Sequence, residues 1–582
     1  MDNKTIAAAL ESYGIIIELT GGNPFSAKSY YAAARTIETL PESAVQLAQE
    51  KRLETVKGIG RGIAEKITEF ISSGTIHDYE TLEASLPEGI FDILKIPGMG
   101  PKKVRAVYEK LNITSLGELE YACLENRLVT LEGFGVKSQT NILEGIKFVK
   151  ASRERHLISD AEEAADIILR SVRKMPGVIR SAITGSIRRK METIGNIDII
   201  ISAVPNHSSE IINRITTLPE TLEIIEQNNS YVKIKLSLGF TVECFIAPEE
   251  EFACTLNHTT GSAGHISLLK TRAQSMGFTL TEWALLKNGT PIVISDEQDL
   301  YRTLGLQYIE PELRENQGEI DTAAENKLPE LVKLDDVRGI IHVHTQYSDG
   351  SNSISELAHK CIEMGYEYLG ICDHSVSAFY ANGLNEERIH RQYEEIDKLN
   401  EELKPFAIFK GIEADILTNG SLDYSDAVLE SFDFVVASVH SKLKMTAEEA
   451  AIRLEKAIRN PYTTIVGHPT GRLLLSREGY PVNMEYIIDI CKQCNVIIEI
   501  NANPHRLDLD WRYCRYAQKQ GVKIAICPDA HSLDGLNDMK YGIYTARKGW
   551  LTKANIINTL SAEEIKALFN EKKTRHINIL KK

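Results

Sequence analysis

The chain has 582 residues, a formal net charge of −15, 43% hydrophobic residues and 25% charged ones. That length exceeds what one core usually serves, so three or more domains of ordinary globular composition are expected. The acidic balance argues against a nucleic-acid coat over the whole surface while leaving local basic patches open, and no apolar run reaches the roughly 18 residues of a membrane helix.

The chain opens with MDNKTIAAALESYGIII, an early acid with no basic segment before the apolar stretch, so no signal peptide is expected. Two segments then share one shape: ETVKGIGRGIAEKITEFI and LKIPGMGPKKVRAVYEKL, with Gly58 and Gly60 in the first and Gly98, Gly100, Lys102 and Lys103 in the second. Each reads as helix, Gly-x-Gly turn, helix. The glycines let backbone N–H groups face an anion, and the second helix adds its dipole. VTLEGFGVKSQTNILEGI repeats the pattern with Gly133 and Gly135. One such turn could be a plain helical hairpin; three of them favour DNA binding.

These segments resemble the helix-hairpin-helix motif, which grips a DNA backbone without reading bases. The stretch GGNPFSAKSYYAAARTIETLP is similar to the start of the small DNA-binding domain of family X DNA polymerases. The resemblance implies that Lys66, in IAEK, matches a lysine able to form a Schiff base with an abasic sugar. The plainer reading is a solvated lysine at a phosphate, since a nucleophilic amine needs a depressed pKa.

The middle of the chain, AITGSIRRKMETIGNIDIIISAV, predicts a strand, a Gly-Ser turn into a helix, and an alternating strand. Gly185, Ser186 and Arg189 suit a triphosphate, with hydroxyl, N–H and guanidinium converging on anionic oxygens. The resemblance to family X polymerases extends to about residue 315, and implies a D-x-D pair here with a third aspartate on a neighbouring strand. The carboxylates depart from that pattern: Asn196 stands in the first place, Asp198 in the second, and Glu243 in the third. A two-metal transfer site needs anionic oxygens holding cations about 3.5–4 Å apart. The expectation is a palm of weak or absent synthesis, with His258 and Thr259 where the family has an aromatic pair beside the nucleotide. Normal synthesis despite these changes is the alternative.

From Arg338 onward, short β-branched runs ending in His, Asp or Glu alternate with amphipathic segments. Seven such runs predict parallel strands closing into a barrel, whose strand C-termini form the active-site face. Six of the seven strand ends carry ligand-type side chains: His342 and His344, His374, Glu413, His440, His468, and Asp529 with His531, while Asp349 follows in the first loop. So many polar groups on one rim are costly to bury unpaired, and they outnumber the ligands of one tetrahedral ion. Cys491 and Cys494 have CxxC spacing with no second pair nearby, and read as helix packing in a reduced, cytoplasmic protein.

The series HxH, D, H, E, H, H, D-x-H resembles the polymerase-and-histidinol-phosphatase (PHP) domain. The resemblance implies two or three divalent ions, manganese or zinc, with Glu413 bridging. It groups His342, His344, Glu413 and Asp529 on one ion, His440 and His468 on a second, and Asp349, His374 and His531 on a third. The implied chemistry is phosphoester hydrolysis.

The expected organisation is a helical DNA-binding region at 1–150, an α/β nucleotidyltransferase palm with thumb at 151–315, a linker at 316–336, and a distorted seven-stranded β/α barrel at 337–582. The whole resembles bacterial family X DNA polymerases fused to a PHP domain. That implies a repair-type 3′–5′ exonuclease acting on DNA at primer ends, gaps or nicks, monomeric and without membrane contact. Magnesium or manganese and deoxynucleoside triphosphates would join it in the palm if that site is active. Three alternatives stand beside it: a polymerase with a proofreading barrel, a phosphomonoesterase of small molecules, and a DNA-binding scaffold.

Overall fold

The computed structural model describes residues 1–150 and 154–580, which form two compact units, Met1–Val149 and Lys150–Lys582. Among the described residues no helix is long and apolar enough to cross a membrane. All nine cysteines are free thiols, and Cys491 and Cys494 sit on one turn of the helix Met484–Cys494.

The first unit is helical. One core gathers Ile6, Leu10, Ile37, Leu47 and Ile67, and another gathers Ile93, Val104, Val107, Leu119 and Ile142. The helices that follow the Gly-x-Gly turns are Arg61–Ser73, Pro101–Leu111 and Val136–Lys150. Gly58, Gly98 and Gly133 all have left-handed backbone, with φ of 94°, 84° and 84°. A Cβ at Gly98 or Gly133 would meet nothing within 4 Å, so glycine is needed there for its dihedral and not for room.

The second unit begins with a five-stranded sheet: β1 (Val178–Ile183), β2 (Asn196–Ala203), β3 (Thr221–Gln227), β4 (Tyr231–Leu236) and β5 (Thr241–Ala247). Its order is β1-β2-β5-β4-β3, with β2 and β5 parallel and the other pairs antiparallel. Ile197, Ile199 and Ile201 share a core with Ile168 and Ile211 from the helices Ile158–Arg173 and Ser208–Thr216. Side chains alternate along a strand, so Asn196 and Asp198 must face the other side of the sheet. A thumb follows, built on Leu269, Leu285, Leu300, Tyr301 and Leu304. Within residues 316–336, Glu319–Ala324 is a helix whose Ile320 and Ala323 join that core, while Glu319 is buried against His265 at 2.8 Å. This stretch is thus packed into the fold despite its polar composition.

The barrel has seven parallel strands in sequential order: β6 (Gly339–Val343), β7 (Tyr368–His374), β8 (Ala407–Asp415), β9 (Phe434–Ser438), β10 (Ile465–Val466), β11 (Ile497–Asn501) and β12 (Ile524–Cys527). It closes where the His344 N–H donates to the Ala530 carbonyl at 2.9 Å, just past the ends of β6 and β12. Capping boxes at Ser353/Glu356 and Thr446/Glu449 start two of the covering helices. Near the strand starts, Ile565 and Phe569 of the helix Ala562–Leu580 pack against Ile341, Phe409 and Phe434. That end is filled by apolar side chains, which leaves the strand C-termini for polar ones.

Candidate functional site

The nine ligand-type side chains predicted on the barrel come together at the C-terminal ends of its strands. Glu413, at the end of β8, is the centre. Its oxygens lie 3.0 Å from His468 Nε2, 3.1 Å from His440 Nε2, 2.9 Å from His374 Nδ1, 3.4 Å from His342 Nε2 and 3.7 Å from His344 Nε2. Asp529 reaches His344 Nε2 at 3.1 Å and His342 Nε2 at 3.5 Å. Asp349 reaches His531 Nε2 at 3.4 Å and His374 Nε2 at 3.5 Å.

Within the barrel four groupings could each hold an ion: His344, Asp349, His374 and His531; His342, His344 and Asp529; His374, Glu413 and His440; and His342, Glu499 and Cys527. The overlap differs from the three separate sets that the family resemblance implies, since His344 and His374 each serve two groups. The donor set fits metal ions. His342 Nε2, His344 Nδ1, both ring nitrogens of His374, His468 Nδ1 and Glu413 Oε2 are buried with no hydrogen-bond partner among the described residues. Polar atoms buried unpaired are costly, and the acceptors among them call for something electropositive.

Electrostatics and backbone both mark the place. Burial favours a neutral Glu413, yet His440, His342 and His374 hold its carboxyl well below the usual range. Burial also works against charge on His440, but Glu413 and Asp415 carry its pKa up to about 10. Burial, with His531 and His374 nearby, lowers His344 to about 3; burial and Arg506 do the same for His468. His342 and Asp529 have left-handed backbone, φ 65° and 53°, and the β6–β7 register shifts beside His342. Such conformations cost roughly 1–3 kcal/mol each and persist where surrounding structure over-determines them.

Sequence reasoning missed two carboxylates. Glu499 on β11 lies 2.7 Å from His342 Nδ1, and Asp415 lies 2.5 Å from His440 Nδ1. Each holds the outer nitrogen of a histidine whose inner nitrogen faces the cluster, which fixes tautomer and ring orientation. Asp415 is two residues beyond Glu413 on the same strand, hence on the same face, and that spacing could have revealed it.

The palm residues also converge. Gly185, Ser186, Arg189, Asn196, Asp198 and His258 line a cleft of about 660 Å³. Gly185 has φ 63°, and a Cβ there would collide with Asp198 Oδ2, so only glycine brings the turn this close. Asp198 and Glu243 are register neighbours across β2 and β5. Burial and the Glu243 charge push Asp198 up to about 7. Asn196 turns its amide N–H groups onto Asp198 Oδ1 at 2.6 Å and Glu243 Oε1 at 3.3 Å. Lys233 pairs with Glu243 at 3.0 Å, and the Tyr231 hydroxyl donates to its other oxygen at 3.0 Å. Both carboxylates that would face a cation are thus already met by protein donors.

In the helical unit, Gly60 and Gly100 are the N-caps of their helices and neither helix has a side-chain cap, so first-turn N–H groups are left for an anion. Gly135 precedes the third helix, Val136–Lys150. Lys102 is exposed, and Lys103 lies over the Phe134 ring at 5.4 Å, joining the second turn to the third. For Lys66 the family resemblance offers a Schiff-base role beside the plainer one of a charged lysine at a phosphate. Its Nζ is paired with Asp78 at 2.7 Å and Glu69 at 2.9 Å, and although burial opposes charge these carboxylates raise its pKa. A nucleophilic amine needs the reverse.

The sequence matches a helix-hairpin-helix domain at residues 1–76, a SAM-like helix-hairpin-helix tandem at 90–147, the DNA polymerase beta thumb at 255–315 and the PHP domain at 341–503. Together with the palm these define a polymerase-type chain carrying a metal-dependent phosphoesterase barrel. The chain belongs to the family X DNA polymerases with a C-terminal PHP domain: it is 36% identical to the DNA polymerase/3′-5′ exonuclease PolX of Bacillus subtilis, over 97% of this chain and 99% of that one. It is also similar to a probable phosphatase of Thermoanaerobacter sp., 26% identical over 40% of this chain and 95% of the relative. A probable phosphatase of Clostridium acetobutylicum is 26% identical over 33% of this chain and 78% of its own length. None of these relationships supports an inactive palm; the argument for one is local.

Proposed function

We propose that this protein is a 3′–5′ DNA exonuclease of repair, hydrolysing terminal phosphodiesters at the barrel's polar end. The observation that carries it is Glu413, set among five histidines within 3.7 Å. His342, His344, Asp349, His374, Glu413, His440, His468, Asp529 and His531 would hold two or three divalent ions. Bound ions would supply a water of lowered pKa and charge to stabilise the phosphoryl oxygens. Glu499 and Asp415 keep the ring nitrogens aimed inward, and the closed apolar end of the barrel keeps the site one-mouthed.

Gly58, Gly60, Gly98, Gly100, Gly133 and Gly135, with Lys102 and Lys103, present N–H groups and charge to backbone phosphates of a primer end, gap or nick. This favours DNA over a small phosphomonoester, because a soluble metabolite needs no repeated backbone-phosphate grip. The relatives described as probable phosphatases align with about the barrel's share of the chain alone. The palm keeps a nucleotide cleft at Gly185, Ser186 and Arg189, but its synthesis is weak, since Asn196 donates hydrogen bonds to Asp198 and Glu243 and Lys233 pairs with Glu243, occupying the carboxylates that would hold magnesium or manganese. A domain division at 150, a thumb that takes in the packed stretch 316–336, a barrel from 337, a monomeric state and a cytoplasmic location complete the reading.

The test is a 5′-labelled primer–template incubated with manganese, alongside p-nitrophenyl phosphate. The expected result is a ladder of shortened primers, abolished by chelator and outpacing release of nitrophenol. Hydrolysis of the small ester with DNA left intact would favour the phosphatase reading.

A further inference from the structure

Lys548, the last residue of the helix Met539–Lys548 that follows the barrel's final strand, is 1% exposed. Burying an ammonium is costly unless it is paired and hydrogen-bonded. Its Nζ donates to the backbone carbonyl of Arg189 at 3.0 Å and to Glu315 Oε1 at 2.6 Å, beneath the Trp511 ring at 4.8 Å. Glu315, at the end of the matched thumb, uses the same oxygen to accept from Arg189 Nε at 3.0 Å. The Arg189 Nη1 donates to the Thr260 carbonyl. Both main chain and guanidinium of Arg189 are therefore held, one by Lys548 directly and the other through Glu315. These bonds engage Nε and Nη1, and Arg189 lines the palm cleft.

A guanidinium has five N–H donors in a rigid plane, so fixing two of its nitrogens fixes where the third points. We propose that Lys548 is a positioning residue for the palm, supplied by the barrel: through Glu315 it sets the Arg189 fork that meets the triphosphate of a nucleotide. The inference rests on reading the Gly185–Arg189 turn as a nucleotide pocket. It makes the barrel a part of the palm's binding geometry as well as a separate catalytic site.

The experiment measures dATP affinity with magnesium by calorimetry, and 3′-end degradation on the same samples. Lys548→Met should weaken dATP binding about tenfold, the scale of one charge-assisted hydrogen bond, and leave degradation within about twofold of wild type. In an Arg189→Ala background the same change should have no further effect, because Lys548 acts through Arg189. Glu315→Gln, which keeps the shape of the linkage, should also weaken binding and also lose its effect in that background, and it decides the matter if Lys548→Met does not fold. Unchanged affinity in these variants, or a loss that persists without Arg189, would overturn the positioning role alone. Failure of the wild-type protein to bind dATP would overturn the pocket reading and this inference with it.

Discussion

Glu499 Oε2 lies 2.7 Å from Nδ1 of His342, across 157 residues of chain. The carboxylate holds that nitrogen as the donor and leaves Nε2 facing Glu413 and Asp529. Outer partners of this kind are worth about 10–100-fold in metal affinity. Glu499→Ala should therefore retain less manganese after dialysis against a weak chelator, read by elemental analysis, while the fold persists. Full retention of metal would remove Glu499 from the site.

For the DNA grip, Lys102→Ala with Lys103→Ala should weaken binding equally for all sequences. The slope of log affinity against log salt should flatten by about one unit for each phosphate that a lysine no longer meets. Fluorescence anisotropy over a salt series checks this. Weakening confined to particular sequences would point to base recognition instead.

In the palm, Asn196→Asp removes the amide donors now on Asp198 and Glu243, and Glu243→Asp withdraws a carboxylate from Lys233. Together, in a barrel-inactivated background, they should raise primer extension at least about tenfold, with each alone doing little because metal-site residues act as a unit. If the barrel-inactivated parent already extends primers as fast as the double revertant, synthesis by the palm is not impaired.

Glu297 gives a pH dependence. Burial opposes its charge, but Arg314 at 2.6 Å and Arg188 depress its pKa from 4.5 to about 2. A depressed carboxylate contributes stability that is full above its unfolded pKa and lost as pH falls through the folded one. The loss belongs to the window between pH 4.5 and 2. Glu297→Gln should cost about 3–5 kcal/mol at neutral pH, by stranding buried Arg314, and should make urea stability less steep in that acid window. An unaltered slope would mean the pair is not linked to folding.

The barrel's ligands were legible in the sequence because each ends a β-branched run, where a parallel strand must meet the active face. Glu499 was not, because it sits inside the apolar run VIIEIN and its partner is far away in sequence. The palm shows the same limit. Asn196 is visible as a departure, but Lys233 becomes relevant only through the β4–β5 register that sets it opposite Glu243. The helix-hairpin-helix turns were readable from glycine spacing alone, since the left-handed φ is a local demand. Lys66 was not, because its pKa depends on Asp78 and Glu69, folded back onto it. The packing of residues 319–324 was hidden by a glutamate whose burial is compensated by His265.

The most direct measurement is 3′-end degradation of a labelled primer by His342→Ala/His344→Ala, with DNA binding followed on the same protein. Loss of the two imidazoles that face Glu413 and Asp529 should abolish manganese-dependent shortening while binding stays within about twofold of wild type, because the phosphate grip is assigned to the first unit. Undiminished shortening by the double variant would contradict the assignment of the nuclease to the barrel.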